Sequence, residues 1–139
     1  GRGFDYAVAL EGSLKLKEVS YIAGEGYPAG ELKHGTLALI DGNTVSVVLI
    51  TDEELASKSV SAVEQVLSRG GKVAVITCLP AVAKALKNKA EVISLPGCNK
   101  FLSPLVTAIA VQELAYRTAV ILGRDPDKPR NLAKSVTVE

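Results

Sequence analysis

Two short runs limit what this chain can fold into more than any other feature. Thr44 to Ile50, TVSVVLI, and Lys72 to Thr77, KVAVIT, are dominated by valine and isoleucine and are nearly continuous in apolar character. A strand with one face in water alternates apolar and polar residues, whereas a strand covered on both faces does not need to. The runs predict parallel strands lying between two helical layers. Glu91 to Leu95, EVISL, is a third and weaker strand.

Helical signals fill the intervals. Thr51 and Glu54 have the spacing of a capping box, and the helix they open is expected to run to about Arg69, where Gly70-Gly71 ends it. Pro80 can open a short helix as its first residue. Ser103-Pro104 reads as an N-cap followed by proline, with Gly123 closing the long helix that follows. Strand and helix alternate, so the fold class is α/β: a three-layer α/β/α sandwich with a parallel sheet, flavodoxin-like or Rossmann-like. One helix comes before any strand. The segment GRGFDYAVALEGSLKLKEVSYIA opens on a Gly-x-Gly turn, with Asp5 placed to cap the helix. Such a turn normally follows a strand, so the first strand is expected to be missing and the chain to be a fragment cut just inside its domain boundary.

At 139 residues the chain suits one domain with a sizeable core. A net charge of +1 gives no basic footprint for nucleic acid. No apolar run reaches the roughly 18 residues of a membrane span, and no signal peptide opens the chain, so a cytoplasmic protein is expected. Cys78 and Cys98 are far apart in sequence and form no CxxC, which reads as a pair of reduced thiols.

Few residues are candidates for chemistry. Wound as a helix, the first segment puts Leu10, Leu14 and Tyr21 on one face and Val8, Leu16 and Val19 on another, which implies a mostly buried helix. Between them runs a stripe of Glu11, Lys15 and Glu18. This is either an ordinary ion-pair ladder or a general base with a lysine beside it. His34, the single histidine, lies in GELKHGTLALI between Gly30 and Gly35, on a turn or short helical bend. Its neighbours offer no metal cluster, and its loop position presents it either to solvent or to a ligand. Lys134, flanked by Ala133 and Ser135, is either a solvated lysine or an amine that loses its hydration on docking and becomes nucleophilic.

ALEGSLKLKEVSYIAGEGYPAGELKHGTLALID, taken with DPDKPRNLAKSVTVE, resembles the isomerase region of the glutamine–fructose-6-phosphate aminotransferase family. The resemblance covers nearly the whole chain and matches the second of the family's two sugar-isomerase (SIS) halves. It implies a SIS domain over residues 1–123 and an active-site tail over 124–139. It also implies a fructose 6-phosphate substrate, no cofactor and no metal. The partners it implies are the other SIS half, a glutaminase domain that releases ammonia, and a second copy in a homodimer. The roles it implies are a Schiff base at carbon 2 of the sugar for Lys134, proton movement between carbons 1 and 2 for Glu18, and assistance near the open-chain sugar for Lys15. For His34 it implies help in ring opening, reaching into a neighbouring subunit's site. Ala133 would line the sugar pocket, and the tail would close over it.

Phosphosugar isomerases usually hold phosphate at a helix N-terminus, where free N–H groups favour an anion. Here that turn reads ITDEELASKS, and Asp52, Glu53 and Glu54 would repel a phosphate. The sugar phosphate is therefore expected to sit on the other half. Two other readings compete: a SIS module that senses a phosphosugar without catalysis, and a dimerisation domain without a ligand.

Overall fold

The computed structural model describes residues 1–132. Helix α1 (Phe4–Lys15) is followed by β1 (Val45–Ile50), α2 (Ala56–Leu67), β2 (Lys72–Thr77), α3 (Pro80–Leu86), β3 (Glu91–Ser94) and α4 (Ser103–Ile121). The strands form one parallel sheet in the order β1-β2-β3, with Val45 opposite Lys72 and Ala74 opposite Glu91. Two cores explain why the strand runs are unbroken. Val48, Ile50, Val73 and Val75 point into one core with Val63 and Val66 of α2 and Val82 and Leu86 of α3. Their neighbours Leu49 and Ile76 point the other way, onto Val8 of α1 and Val111 of α4. Successive side chains of a strand alternate between faces, so a strand with a core on each side must be apolar throughout. The result is the expected α/β/α sandwich with a three-stranded parallel sheet.

Helices α1 and α4 cross closely at Gly12. A Cβ built there would lie 3.0 Å from Cβ of Val111, so the crossing depends on the missing side chain. Gly123 does end α4, at φ 66°, and Arg124 N–H reaches back to the Ala119 carbonyl at 2.8 Å.

Three expected caps are corrected. Asp5 does not cap α1; it is buried, and its carboxylate accepts from Thr51 N–H at 2.9 Å and Thr51 Oγ1 at 2.6 Å. Thr51 is consequently unavailable as a cap, and Asp52 accepts from Glu54 N–H instead, over a short 3₁₀ turn, Glu53–Leu55, ahead of α2. Ser103 lies inside α4 behind the N-cap Leu102, with its Oγ 2.9 Å from Oγ1 of Thr51. The three residues chosen as caps on sequence grounds therefore form one buried knot joining α1, β1 and α4. Helix α1 is also less buried than its two apolar faces predict: Leu10 and Leu14 are 46% and 44% exposed.

Candidate functional site

Helix α1 does not stop at Lys15. It widens into a π turn, Leu16–Ser20, in which Ser20 Oγ donates to the Leu16 carbonyl at 2.6 Å. Such turns place an extra residue in the coil and are frequent at functional sites. Glu18 sits in this turn, and its Oε2 lies 2.6 Å from Nζ of Lys15, which is also 3.7 Å from Oε1 of Glu11. The stripe of Glu11, Lys15 and Glu18 is thus a real ion-pair ladder with its best contact at Glu18. The hydrogen bond that Lys15 donates to Glu18, opposed in part by lost hydration and helped by both carboxylates, raises the pKa of Lys15. Lys15 stays an ammonium group, and Glu18 has a fixed positive charge beside it.

The π turn ends at Tyr21, whose backbone is left-handed at φ 64°, ψ 21°. The last described residues return to this point. Arg130 N–H donates to Oη of Tyr21 at 2.9 Å, and the guanidinium carbons of Arg130 and Arg124 lie 4.3 and 5.3 Å from the centre of the Tyr21 ring. Between the two segments is a cavity of about 400 Å³ lined by Glu18, Tyr21, Ile22, Arg130, Asn131 and Leu132, together with Lys17 and Ala23. A half-exposed carboxylate with an ammonium neighbour, opening onto a cavity of this size, can move a proton on a small bound molecule.

His34 ends a 3₁₀ turn, Leu32–His34, before Gly35 at φ 141°. It is exposed and does not line the Glu18 cavity. Lys134 and Ala133 lie outside the described residues. The start of α2 is already electrostatically filled: Asp52 takes the Glu54 N–H, and Lys100 pairs with Asp52 and Glu54, each at 2.9 Å. Carboxylates stand where an anion would have to approach, which fits the expectation that a phosphate binds elsewhere. Cys78 and Cys98 are free thiols that the fold brings together, and burial, followed by the neighbouring Cys98, pushes the Cys78 thiol up.

Tyr21, Arg124, Arg130 and Asn131 were not legible as site residues. A π turn has no residue signature, and Tyr21 and Arg130 are 109 positions apart. The available hint was two arginines bracketing the proline-stiffened stretch GRDPDKPR just before Lys134.

Residues 1–122 match the model of the SIS domain family. Over all 139 residues the chain is 50% identical to a glutamine–fructose-6-phosphate aminotransferase (isomerizing) of Brucella abortus, but it spans only 23% of that protein's length. It is equally similar, at 50%, to a protein of the same name from Sphingobium yanoikuyae, of which it covers 89%. Among solved structures, the C-terminal domain of glucosamine-fructose-6-phosphate aminotransferase from Francisella tularensis superposes with a TM-score of 0.86 at 43% identity, covering 92% of this chain and 36% of that one.

Proposed function

The chain belongs to the SIS domain family, and from that premise we propose that it works as the second sugar-isomerase half of a glutamine–fructose-6-phosphate aminotransferase. The observation that carries this reading is the corner where Glu18, paired with Lys15, opens onto a cavity whose opposite wall is Arg130 to Leu132, the residues that come just before Ala133 and Lys134 in the sequence.

On this reading the amine of Lys134 condenses with the ketone at carbon 2 of fructose 6-phosphate and releases water. Ammonia then displaces the lysine amine. The Glu18 carboxylate takes a proton from carbon 1 and delivers one to carbon 2, while the proton of the carbon-1 hydroxyl is lost and the imine nitrogen gains one, which converts the ketose imine into the 2-amino aldose, glucosamine 6-phosphate. Lys15 holds the carboxylate in place and supplies positive charge near the open-chain sugar. The phosphate is held by the other SIS half, because the start of α2 is occupied by its own carboxylates and Lys100. The complete protein is read as a cytoplasmic homodimer with a glutaminase domain. An exposed His34 away from the Glu18 cavity supports a role in a neighbouring subunit's site.

The test is chemical trapping in the complete polypeptide. Borohydride reduces a sugar imine to a stable secondary amine, so fructose 6-phosphate should become fixed on the wild-type protein and not on Lys134→Ala, which should also lose amination. A Lys134→Ala protein that still makes glucosamine 6-phosphate at an ordinary rate sinks the proposal.

A further inference from the structure

Among the described residues, two non-glycine residues have positive φ, Tyr21 at 64° and Asn131 at 61°. Both line the same cavity, on opposite segments. A left-handed aromatic residue is uncommon and survives only where its surroundings hold it. Here the π turn holds it from one side, through the Ser20 Oγ bond to the Leu16 carbonyl at 2.6 Å. The returning segment holds it from the other, and Tyr21 is its shared attachment point. The hydroxyl accepts the Arg130 N–H at 2.9 Å, and the ring carries the Arg130 and Arg124 guanidinium groups. Cation–ring contacts of this kind strengthen as water is excluded.

The segment between the two arginines is stiff. It begins where Gly123 reverses the chain, contains Pro126 and Pro129, and turns at Asp125, whose Oδ1 accepts from Asp127 N–H at 2.9 Å. A stiff strap gripped near both ends by one ring has little freedom in where it delivers the next residues. Lys134 comes four residues after Arg130 in the sequence.

We propose that Tyr21 is a positioning residue: its ring and hydroxyl, set at the end of the π turn, fix Arg130 against the Glu18 cavity and so determine where the chain presents Lys134. This rests on the reading of Lys134 as the Schiff-base amine. Nothing in the proposal requires Tyr21 to touch the sugar.

The experiment compares wild type, Tyr21→Phe, Tyr21→Ala and Arg130→Gln in the complete polypeptide. The first readout is hydrogen exchange at the Arg130 amide. It should quicken at least tenfold in Tyr21→Phe, which keeps the ring and loses the acceptor. The second is the rate at which borohydride fixes fructose 6-phosphate on Lys134. That rate should fall at least tenfold in Tyr21→Ala and less in Tyr21→Phe, with KM for the sugar nearly unchanged because the phosphate is held elsewhere. Arg130→Gln leaves the strained backbone of Tyr21 untouched, so it tests the same grip without the risk of misfolding. Its loss should not add to that of Tyr21→Ala, since the contact of the Arg130 guanidinium with the ring is absent in both, while the backbone N–H bond to the hydroxyl survives Arg130→Gln. Trapping on wild type with an equal rate in Tyr21→Ala and Arg130→Gln overturns the positioning role. Absence of trapping on wild type overturns the Schiff-base reading and this proposal with it.

Discussion

The two helical layers of this sandwich are finished to different degrees. Helices α2 and α3 turn their apolar residues onto the sheet, and among the described residues neither exposes a large hydrophobic side chain. Helices α1 and α4 also cover the sheet, yet they leave Phe4, Leu10, Leu14, Leu105, Ile109 and Ile121 exposed on their outer side. The π turn, the left-handed Tyr21 and the charged ladder all belong to this second layer. One layer completes its burial within the chain and serves stability. The other keeps apolar surface and strain at its margin, the features expected where a domain meets more protein and a ligand. Substitutions in the two layers should therefore fail in different ways.

The largest effect is expected at Glu18. On the proposed reading Glu18→Gln keeps the size and removes the base, so ketose–aldose conversion by the complete polypeptide should fall by about 10²–10⁴-fold. Because the Glu18 side chain is 30% exposed and its pairing is a surface interaction, thermal unfolding should move little. A coupled assay and a melting curve on the same sample check both halves of the statement. A large stability loss with normal turnover per folded molecule would move Glu18 into the structural layer and erase the contrast.

Leu86 is the counterpart on the finished side. It is fully buried beneath α3 with Val63 and Val75, and Leu86→Ala removes its contacts and leaves a cavity. The expected cost is about 2–5 kcal/mol, read from denaturant unfolding. Turnover per folded molecule should stay near wild type, because no element of the Glu18 cavity rests on α3. Loss of turnover in the folded fraction would mean that the layers are coupled through the sheet.

The same division explains what could be read from sequence. The strand Lys72–Thr77 was legible to the residue because an unbroken apolar run, Val73 to Ile76, lies between Gly70-Gly71 and Pro80. The α2–α3 layer follows the same local rules, apart from its first turn. The α1–α4 layer does not. Asp5, Thr51 and Ser103 are good capping types, but the fold spends them on one another across 46 and 52 positions, which no local pattern records. The apolar faces of α1 predicted burial; in this chain one of them stays open. The Glu11–Lys15–Glu18 spacing was legible as a ladder, whereas the cavity beside it was not, because its far wall comes from the other end of the chain.

The smallest effect on stability, and the sharpest test of the ladder, is at Lys15. As a purely structural pair, its contacts to Glu18 and Glu11 are worth about 0.2–0.5 kcal/mol each, and salt screens them further. The hydrogen bond that Lys15 donates to Glu18 raises the pKa of Lys15, so its contribution is complete below the ordinary lysine range and is lost only as pH climbs through the raised value. Between pH 6 and 9 the ladder should therefore be constant, and Lys15→Met should lower stability by the same small amount across that range. On the proposed reading isomerisation by the complete polypeptide should respond differently. With the ammonium group gone, Glu18 loses the charge that orients it and that would stabilise a developing negative oxygen on the sugar, and the rate should fall by about 10–100-fold. A rate that drops no more than stability predicts would make the stripe a solvated ladder and leave Glu18 without its partner. A rate loss far larger than the stability loss, unchanged from pH 6 to 9, assigns Lys15 to the chemistry of the unfinished layer.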